Sequence, residues 1–293
     1  MNQLIKDIAL TLPPLKRLYA EREQLREENQ RLKDVREEVA VEHKKETQLG
    51  EEPSIRMTEG YCPFCGSETK FVAGDYWLRD HYLCTQCNSI PRQRALMKIL
   101  KERYPDYKML DIHESSPSDG VIRQFQNMTE NYSYSYYYED IPLGSALTDG
   151  GTNQDLEHLT FADDSFDIFI TQDVMEHIPN PEHAFLEIAR VLRKGGAHIF
   201  TTPIYLFTKS KPRIQFKDGK WVNIFPPVYH GNPIDEKGSL VTWDWGDDIA
   251  ELIDDATHCT KTEIIQFPHT KENYEMGLEA DFLQVIISKK IKE

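Results

Sequence analysis

The sequence predicts an α/β protein built on a doubly wound parallel sheet, preceded by a small zinc ribbon and an N-terminal helix. Three observations carry this. From Tyr107 onward short apolar runs alternate with helical patterns, the arrangement of a parallel sheet covered on both faces. Cys62-Pro-Phe-Cys65 and Cys84-Thr-Gln-Cys87 stand 18 residues apart. Leu18, Leu25, Leu32 and Val39 recur every seven residues among Glu, Arg and Lys.

The helical segment is expected over residues 1–45. Pro13-Pro14 stops one helix and can start the next. From Leu15 the companion seam positions are Arg22, Asn29 and Arg36. An Asn in such a seam favours one register and two strands, so a short parallel coiled coil and a homodimer are expected; a single solvated helix is the alternative. Residues 46–60, charged and containing Gly50 and Pro53, read as a linker.

The zinc-binding module and its connecting helix are expected over residues 61–104. Two tight turns presenting Cys62, Cys65, Cys84 and Cys87 suit one tetrahedral Zn²⁺. With all four positions filled by thiolate no site is open to water, so the metal is expected to be structural. His81 could serve only if a cysteine were displaced, and Cys259, alone far down the chain, reads as a buried apolar residue. Pro91 then begins a helix whose Leu96, Ile99 and Leu100 face the next domain. Arg92 and Arg94 could touch an anion, but a solvated or salt-bridged face of that helix is the commoner outcome.

The core domain is expected over residues 105–293, with an insertion over 204–245. Its first strand is read at Lys108 to Ile112, followed by a helix over Val121 to Met128 and a second strand in Tyr132 to Tyr138. Phe166 to Thr171 is a buried strand. Asn180 caps and Pro181 starts a helix whose Phe185, Ile188, Ala189 and Leu192 share a face; Gly195-Gly196 ends it before a strand at Ala197 to Thr202.

Composition bounds the function. The chain has 293 residues, 39% of them apolar and 11% aromatic, enough for a core without disulfides. A net charge of −15 weighs against nucleic acid and anionic membrane as partners and favours small or neutral substrates. No apolar run approaches a bilayer span, the N-terminus lacks signal-peptide features, and paired cysteines suit a reducing compartment, so a cytoplasmic location is expected.

The stretch QDLEHLTFADDSFDIFITQDVMEHIPNPEHAFLEIARVLRKGGAHIFTTP resembles the central half of class I S-adenosylmethionine (SAM)-dependent methyltransferases. The resemblance covers Gln154 to Pro203 closely and Lys108 to the C-terminus more loosely. A Cys-x-x-Cys module ahead of such a domain is also seen in bacterial methyltransferases. The resemblance implies a seven-stranded Rossmann-like sheet whose last two strands are Lys261 to Phe267 and Phe282 to Lys289, and it implies SAM as cofactor.

A doubly wound sheet binds ligands beyond the carboxyl ends of its strands, at the switch in strand order. Asp111, Glu139 with Asp140, Asp155-Leu156 and Gln172-Asp173 are read at those ends. By resemblance, Glu139 would hold the ribose hydroxyls, Asp155 and the Leu156 amide would read the adenine, and Gln172 and Asp173 would border the methionine end. The first loop, Asp111 to Gly120, departs from the family in having no glycine before Gly120; Asp111, His113, Glu114 and Ser115 are its candidate cofactor contacts.

Methyl transfer to a hydroxyl needs in-line approach and a base. His177 and His230 are the candidates. Tyr205 and Tyr229 are read as pocket lining or ordinary aromatic core, and the aromatic, proline-braced segment Phe216 to Trp245 as the acceptor side or a dimer contact. The expected function is methylation, at oxygen, of a small or glycan-type acceptor. An RNA base methyltransferase and an inactive scaffold retaining the fold are the alternatives.

Overall fold

The computed structural model describes residues 56–75, 77–231, 238–280 and 283–292. The N-terminal helix, its heptad seam and the dimer expected from it lie outside the described residues.

The Cys module is a three-stranded antiparallel sheet of β1 (Arg56–Cys62), β2 (Ser67–Ala73) and, after the short helix α1 (Leu78–His81), β3 (Leu83–Cys84). Strand β1 begins inside the segment read as linker. Its period-two pattern turns Thr58 and Cys62 inward, and a polar Thr in that row hides the alternation from a hydropathy reading. Helix α2 (Pro91–Arg103) follows and buries Leu96, Ile99 and Leu100 as expected.

Arg94, read as a solvated or salt-bridged position, is instead fully buried. Its guanidinium lies 4.5 Å from the Phe71 ring centroid and donates to the carbonyls of Tyr82, Ser89 and Gly277. Those carbonyls belong to the module and to a C-terminal turn, so helical periodicity alone could not anticipate the burial. One apolar cluster runs from Phe64, Phe71 and Tyr82 of the module to Ile112, Ile168 and Val285 of the sheet. Module and sheet therefore share a core.

The core elements are β4 (Ile112–Ser115), α3 (Asp119–Met128), β5 (Tyr132–Tyr136), β6 (Thr152–Asn153), β7 (Phe166–Gln172), α4 (Pro181–Val191) and β8 (Leu192–Thr201). The insertion carries the short strands β9 (Ile204–Tyr205), β10 (Lys211–Pro212), β11 (Ile214–Lys217), β12 (Lys220–Asn223), β13 (Tyr229–His230), β14 (Ser239–Leu240) and β15 (Trp243–Gly246). The chain closes with α5 (Ile249–Thr257), β16 (Thr260–Gln266), α6 (Lys271–Glu275) and β17 (Gln284–Lys290).

Seven strands form one sheet in the order β16-β17-β8-β7-β4-β5-β6. The pairs β4/β5, β5/β6, β4/β7 and β7/β8 are parallel, and β17 alone runs against its neighbours β8 and β16. Alternate residues feed opposite faces: Val285 and Ile287 join the module-side cluster, whereas Ile286 joins Phe169, Phe200 and the α4–α5 residues. This is the seven-stranded Rossmann-like sheet expected from the sequence.

Within the core domain, two boundaries differ from the sequence reading by more than two residues. The first strand is Ile112–Ser115, not Lys108 to Ile112; Tyr107–Met109 form a 3-10 turn. All four residues of β4 are buried although three are polar, so hydropathy marks the wrong run. Gly195-Gly196 do not end α4. The helix stops at Val191, and the glycines lie within β8, beside a register irregularity where Gly196 passes close to the Asp167 carbonyl.

Candidate functional site

The strand order reverses between β4 and β7, which places the switch point at their adjoining carboxyl ends. Glu114, next to last in β4, meets Gln172, the last residue of β7. Gln172 Nε2 donates to Glu114 Oε1 at 2.7 Å, and the Tyr132 hydroxyl donates to Oε2 at 2.9 Å. Burial pushes the Glu114 carboxyl up to about 7, against the opposing effect of those two donors. Gln172 Oε1 is buried without a hydrogen-bond partner.

Beyond Gln172 the chain turns through Asp173 in the left-handed region, φ +53°. Its carboxylate receives both Nη atoms of Arg79 at 2.7 and 2.8 Å, and the Thr201 hydroxyl at 2.9 Å. Arg92 Nη1 lies 3.4 Å away. Burial raises the Asp173 carboxyl, but Arg92 and Arg79 more than offset this and hold it well below the usual carboxylate range. Both arginines come from the Cys module, and the Nε of each is buried without a partner. Nothing in local sequence links them to Asp173, so sequence reasoning missed Arg79 and gave Arg92 a salt-bridged face without identifying its partners, Asp80 and Asp173.

The first-loop residues separate. Ser115 ends β4, and Ser116 takes the left-handed conformation, φ +56°, that a glycine would otherwise supply. His113 points away into the core, between the Ser133 and Ser135 hydroxyls at 2.8 and 3.0 Å and against Phe161, Phe166 and Phe169. Burial lowers it to about 3, so it is a neutral packing residue. Asp111 lies at the opposite, amino end of β4, where Arg193 joins it to Asp167 at 2.7 and 2.8 Å. The three-residue shift of the strand moves these two away from the switch point.

At the ends of β5 and β6, Glu139 and Asp155 both lie near Tyr137, an exposed ring. Burial and the Asp155, Glu139 and Glu157 carboxylates together push its phenol up. Asp155 Oδ1 accepts from the Glu157 amide at 2.9 Å, fixing the turn that carries the buried Leu156. Tyr137 had no distinguishing signal within a run of tyrosines.

The structure brings His177 and His230 together from opposite ends of the 53-residue interval between them, with ring centroids 5.2 Å apart. Between them lies Glu176, which sequence reasoning passed over; it is 1% exposed. Tyr205 and Tyr229, weighed as core, are exposed on the insertion.

In the module, Gly66 N donates to Cys62 O and Asn88 N to Cys84 O, both at 2.8 Å, and Gly66 and Asn88 take positive φ. These two matching turns aim four thiols inward, all within 4.8 Å of one another. His81 instead pairs with Asp75 at 2.6 Å.

Residues 142–200 match a family model described as a methyltransferase domain. That span includes Asp155, Leu156, Gln172, Asp173, Glu176 and His177. Among solved structures, the complex between the Haloferax volcanii Trm112 methyltransferase activator and a methyltransferase is similar at 16% identity, over 69% of this chain and 90% of that one, with a TM-score of 0.42. An S-adenosylmethionine-dependent methyltransferase from Mesorhizobium loti is similar at 15%, over 68% and 97%, with a TM-score of 0.42. The Burkholderia thailandensis 1,6-didemethyltoxoflavin-N1-methyltransferase, with bound 1,6-didemethyltoxoflavin and S-adenosylhomocysteine, is similar at 13%, over 68% and 78%, with a TM-score of 0.39. No curated protein matches the sequence. Among the described residues, no helix is long and apolar enough to cross a membrane.

Proposed function

We propose that this chain is a SAM-dependent methyltransferase acting on a hydroxyl of a small or glycan-type acceptor. The observation that carries the reading is the set of unpaired buried atoms at the switch point. Arg92 Nε and Arg79 Nε are donors, and Gln172 Oε1 is an acceptor. An amino-acid zwitterion presents the carboxylate and ammonium that such groups need, so these residues fit the methionine end of SAM. Glu139 and Asp155 at the neighbouring strand ends suit its ribose and adenine.

Bound there, SAM supplies an electrophilic methyl group on a sulfonium. The chain's own part is to orient: Glu114 braces Gln172, Asp173 fixes Arg79, and the Asp155 turn sets the Leu156 amide. The acceptor hydroxyl would approach over the insertion and meet the cluster of Glu176, His177 and His230, which can accept its proton. In the module, the four thiolates hold one structural Zn²⁺. Supporting this, the Sγ atoms of Cys62 and Cys87 are 3.8 Å apart and those of Cys65 and Cys84 4.0 Å, near the edge of about 3.8 Å that a tetrahedron with Zn–S of about 2.3 Å requires.

Isothermal titration of the full chain with SAM and with S-adenosylhomocysteine tests the reading. Saturable heat from both is expected. Absence of heat and of any thermal stabilisation by either ligand would sink it.

A further inference from the structure

Glu176 and His177 stand on a 3-10 turn (Met175–His177) just past β7. Glu176 Oε2 accepts from the Thr202 hydroxyl at 2.9 Å, whereas Oε1 is buried with no hydrogen-bond partner. That orphan oxygen lies 3.8 Å from His177 Nε2 and 3.6 Å from His230 Nδ1. Both distances exceed a hydrogen bond, so the three groups face one another without bonding. Leaving a buried carboxylate oxygen unmatched is unfavourable, and a cation between the three would recover that loss.

We propose that Glu176, His177 and His230 form a binding site for a divalent transition-metal ion. The three donor atoms lie within 4.8 Å of one another. Ligands at about 2.1 Å around a tetrahedral ion stand about 3.4 Å apart, and the two Glu176–imidazole separations of 3.8 and 3.6 Å are within a few tenths of an ångström of that. Two imidazole nitrogens and one carboxylate oxygen suit Mn²⁺, Fe²⁺, Co²⁺ or Zn²⁺ and leave further coordination positions open, unlike the closed set of four thiols.

The surroundings are built for ligation. His177 Nδ1 is 2.8 Å from the Leu240 carbonyl, which can only accept; the proton is therefore on Nδ1 and the Nε2 lone pair faces Glu176. Leu240 is on β14, whose partner β13 carries His230, so one hairpin both orients the first imidazole and delivers the second. Next along, Thr242 grips the Glu176 carbonyl through its amide at 2.7 Å and its hydroxyl at 3.0 Å. A turn in the core and a hairpin in the insertion are thereby clamped around the three donors. Three residues past Asp173, an ion here would take an acceptor oxygen into an open position and lower its pKa, replacing direct proton acceptance by the three side chains, whose lone pairs it occupies. That role rests on the methyltransferase reading; the binding does not.

Mn²⁺ titrated into the full chain without SAM, and followed by the loss of its free-ion paramagnetic resonance signal, tests the site, because this hard ion does not compete for thiolates. About one bound Mn²⁺ per chain is expected, weakened at least tenfold in both Glu176→Gln, which keeps shape, and His230→Ala, which changes a half-exposed hairpin. Circular dichroism melts confirm that the variants fold. If the native chain binds no Mn²⁺ and no Co²⁺ or Zn²⁺ beyond the thiol site, or if both folded variants bind as tightly as it does, the proposal falls. Binding of Mn²⁺ with no SAM heat would overturn only the methyltransferase reading.

Discussion

Arg79 of the Cys module and Asp173 at the end of β7 form a two-point ion pair, 2.7 and 2.8 Å long, at the switch point of the sheet. Arg79 is 7% exposed, so the pair joins an N-terminal module to the candidate cofactor site with little water between them. The module is thus part of the site's wall.

Removing one partner leaves a buried charge unmatched. Arg79→Ala is expected to cost about 3 kcal/mol, measured by urea denaturation, and the double variant with Asp173→Ala less than the sum of the single ones. Because the folded Asp173 carboxyl is depressed, its contribution is present above the unfolded value of about 4 and is lost as pH falls through the folded one. The acid limb of the stability curve should therefore flatten in Asp173→Asn.

Glu114 has the opposite sign. With its folded value raised to about 7, the folded state holds a proton that the unfolded chain releases near 4.5, so rising pH costs stability across that window and the penalty is constant above it. Glu114→Gln should gain relative to the native chain by roughly 3 kcal/mol between about pH 4.5 and pH 7. Paired chemical denaturation across that range checks it.

The thiol cluster and the buried Arg94 are coupled, since nearby Cys62, Cys84 and Cys87 favour its charge against burial, which still lowers it to about 10. If the four thiols hold the proposed Zn²⁺, its chelation, or Cys84→Ser, is expected to unfold the module, remove Arg79 from the site and abolish SAM binding. Structural zinc contributes on the order of 10 kcal/mol in small modules. Calorimetric melting with and without chelator, followed by titration with SAM, measures both effects.

At the proposed ribose and adenine contacts, Glu139→Ala and Asp155→Ala are expected to weaken SAM about tenfold each, the equivalent of about 1.4 kcal/mol. Titration calorimetry gives the affinities. Unchanged affinity in both would remove these carboxylates from the site.

Much of this was legible along the chain. The thiol spacing, the Pro-started helices and the strands of the main sheet after Tyr132 depend on local periodicity and punctuation, which sequence carries directly, whereas the short strands of the insertion were not read. The first strand was not, because β4 buries His113, Glu114 and Ser115, whose polarity is satisfied only by Ser133, Ser135, Tyr132 and Gln172 from other elements. That misplacement also put Asp111 at the wrong end of the sheet.

By itself, the sequence determined the α/β sheet, the four-thiol cluster and which strand ends carry Glu139, Asp155, Gln172 and Asp173, since each depends on neighbours within a few residues. Only the tertiary structure decided that Arg79 and Arg92 reach Asp173, that Arg94 is buried, and that His230 meets His177 across Glu176. Arg79 and Arg92 stand 94 and 81 positions from Asp173, Arg94 stands 183 from Gly277, and His230 stands 54 from Glu176. Their distances come from how the module, sheet and insertion pack, and no pattern of period two or 3.6 records that.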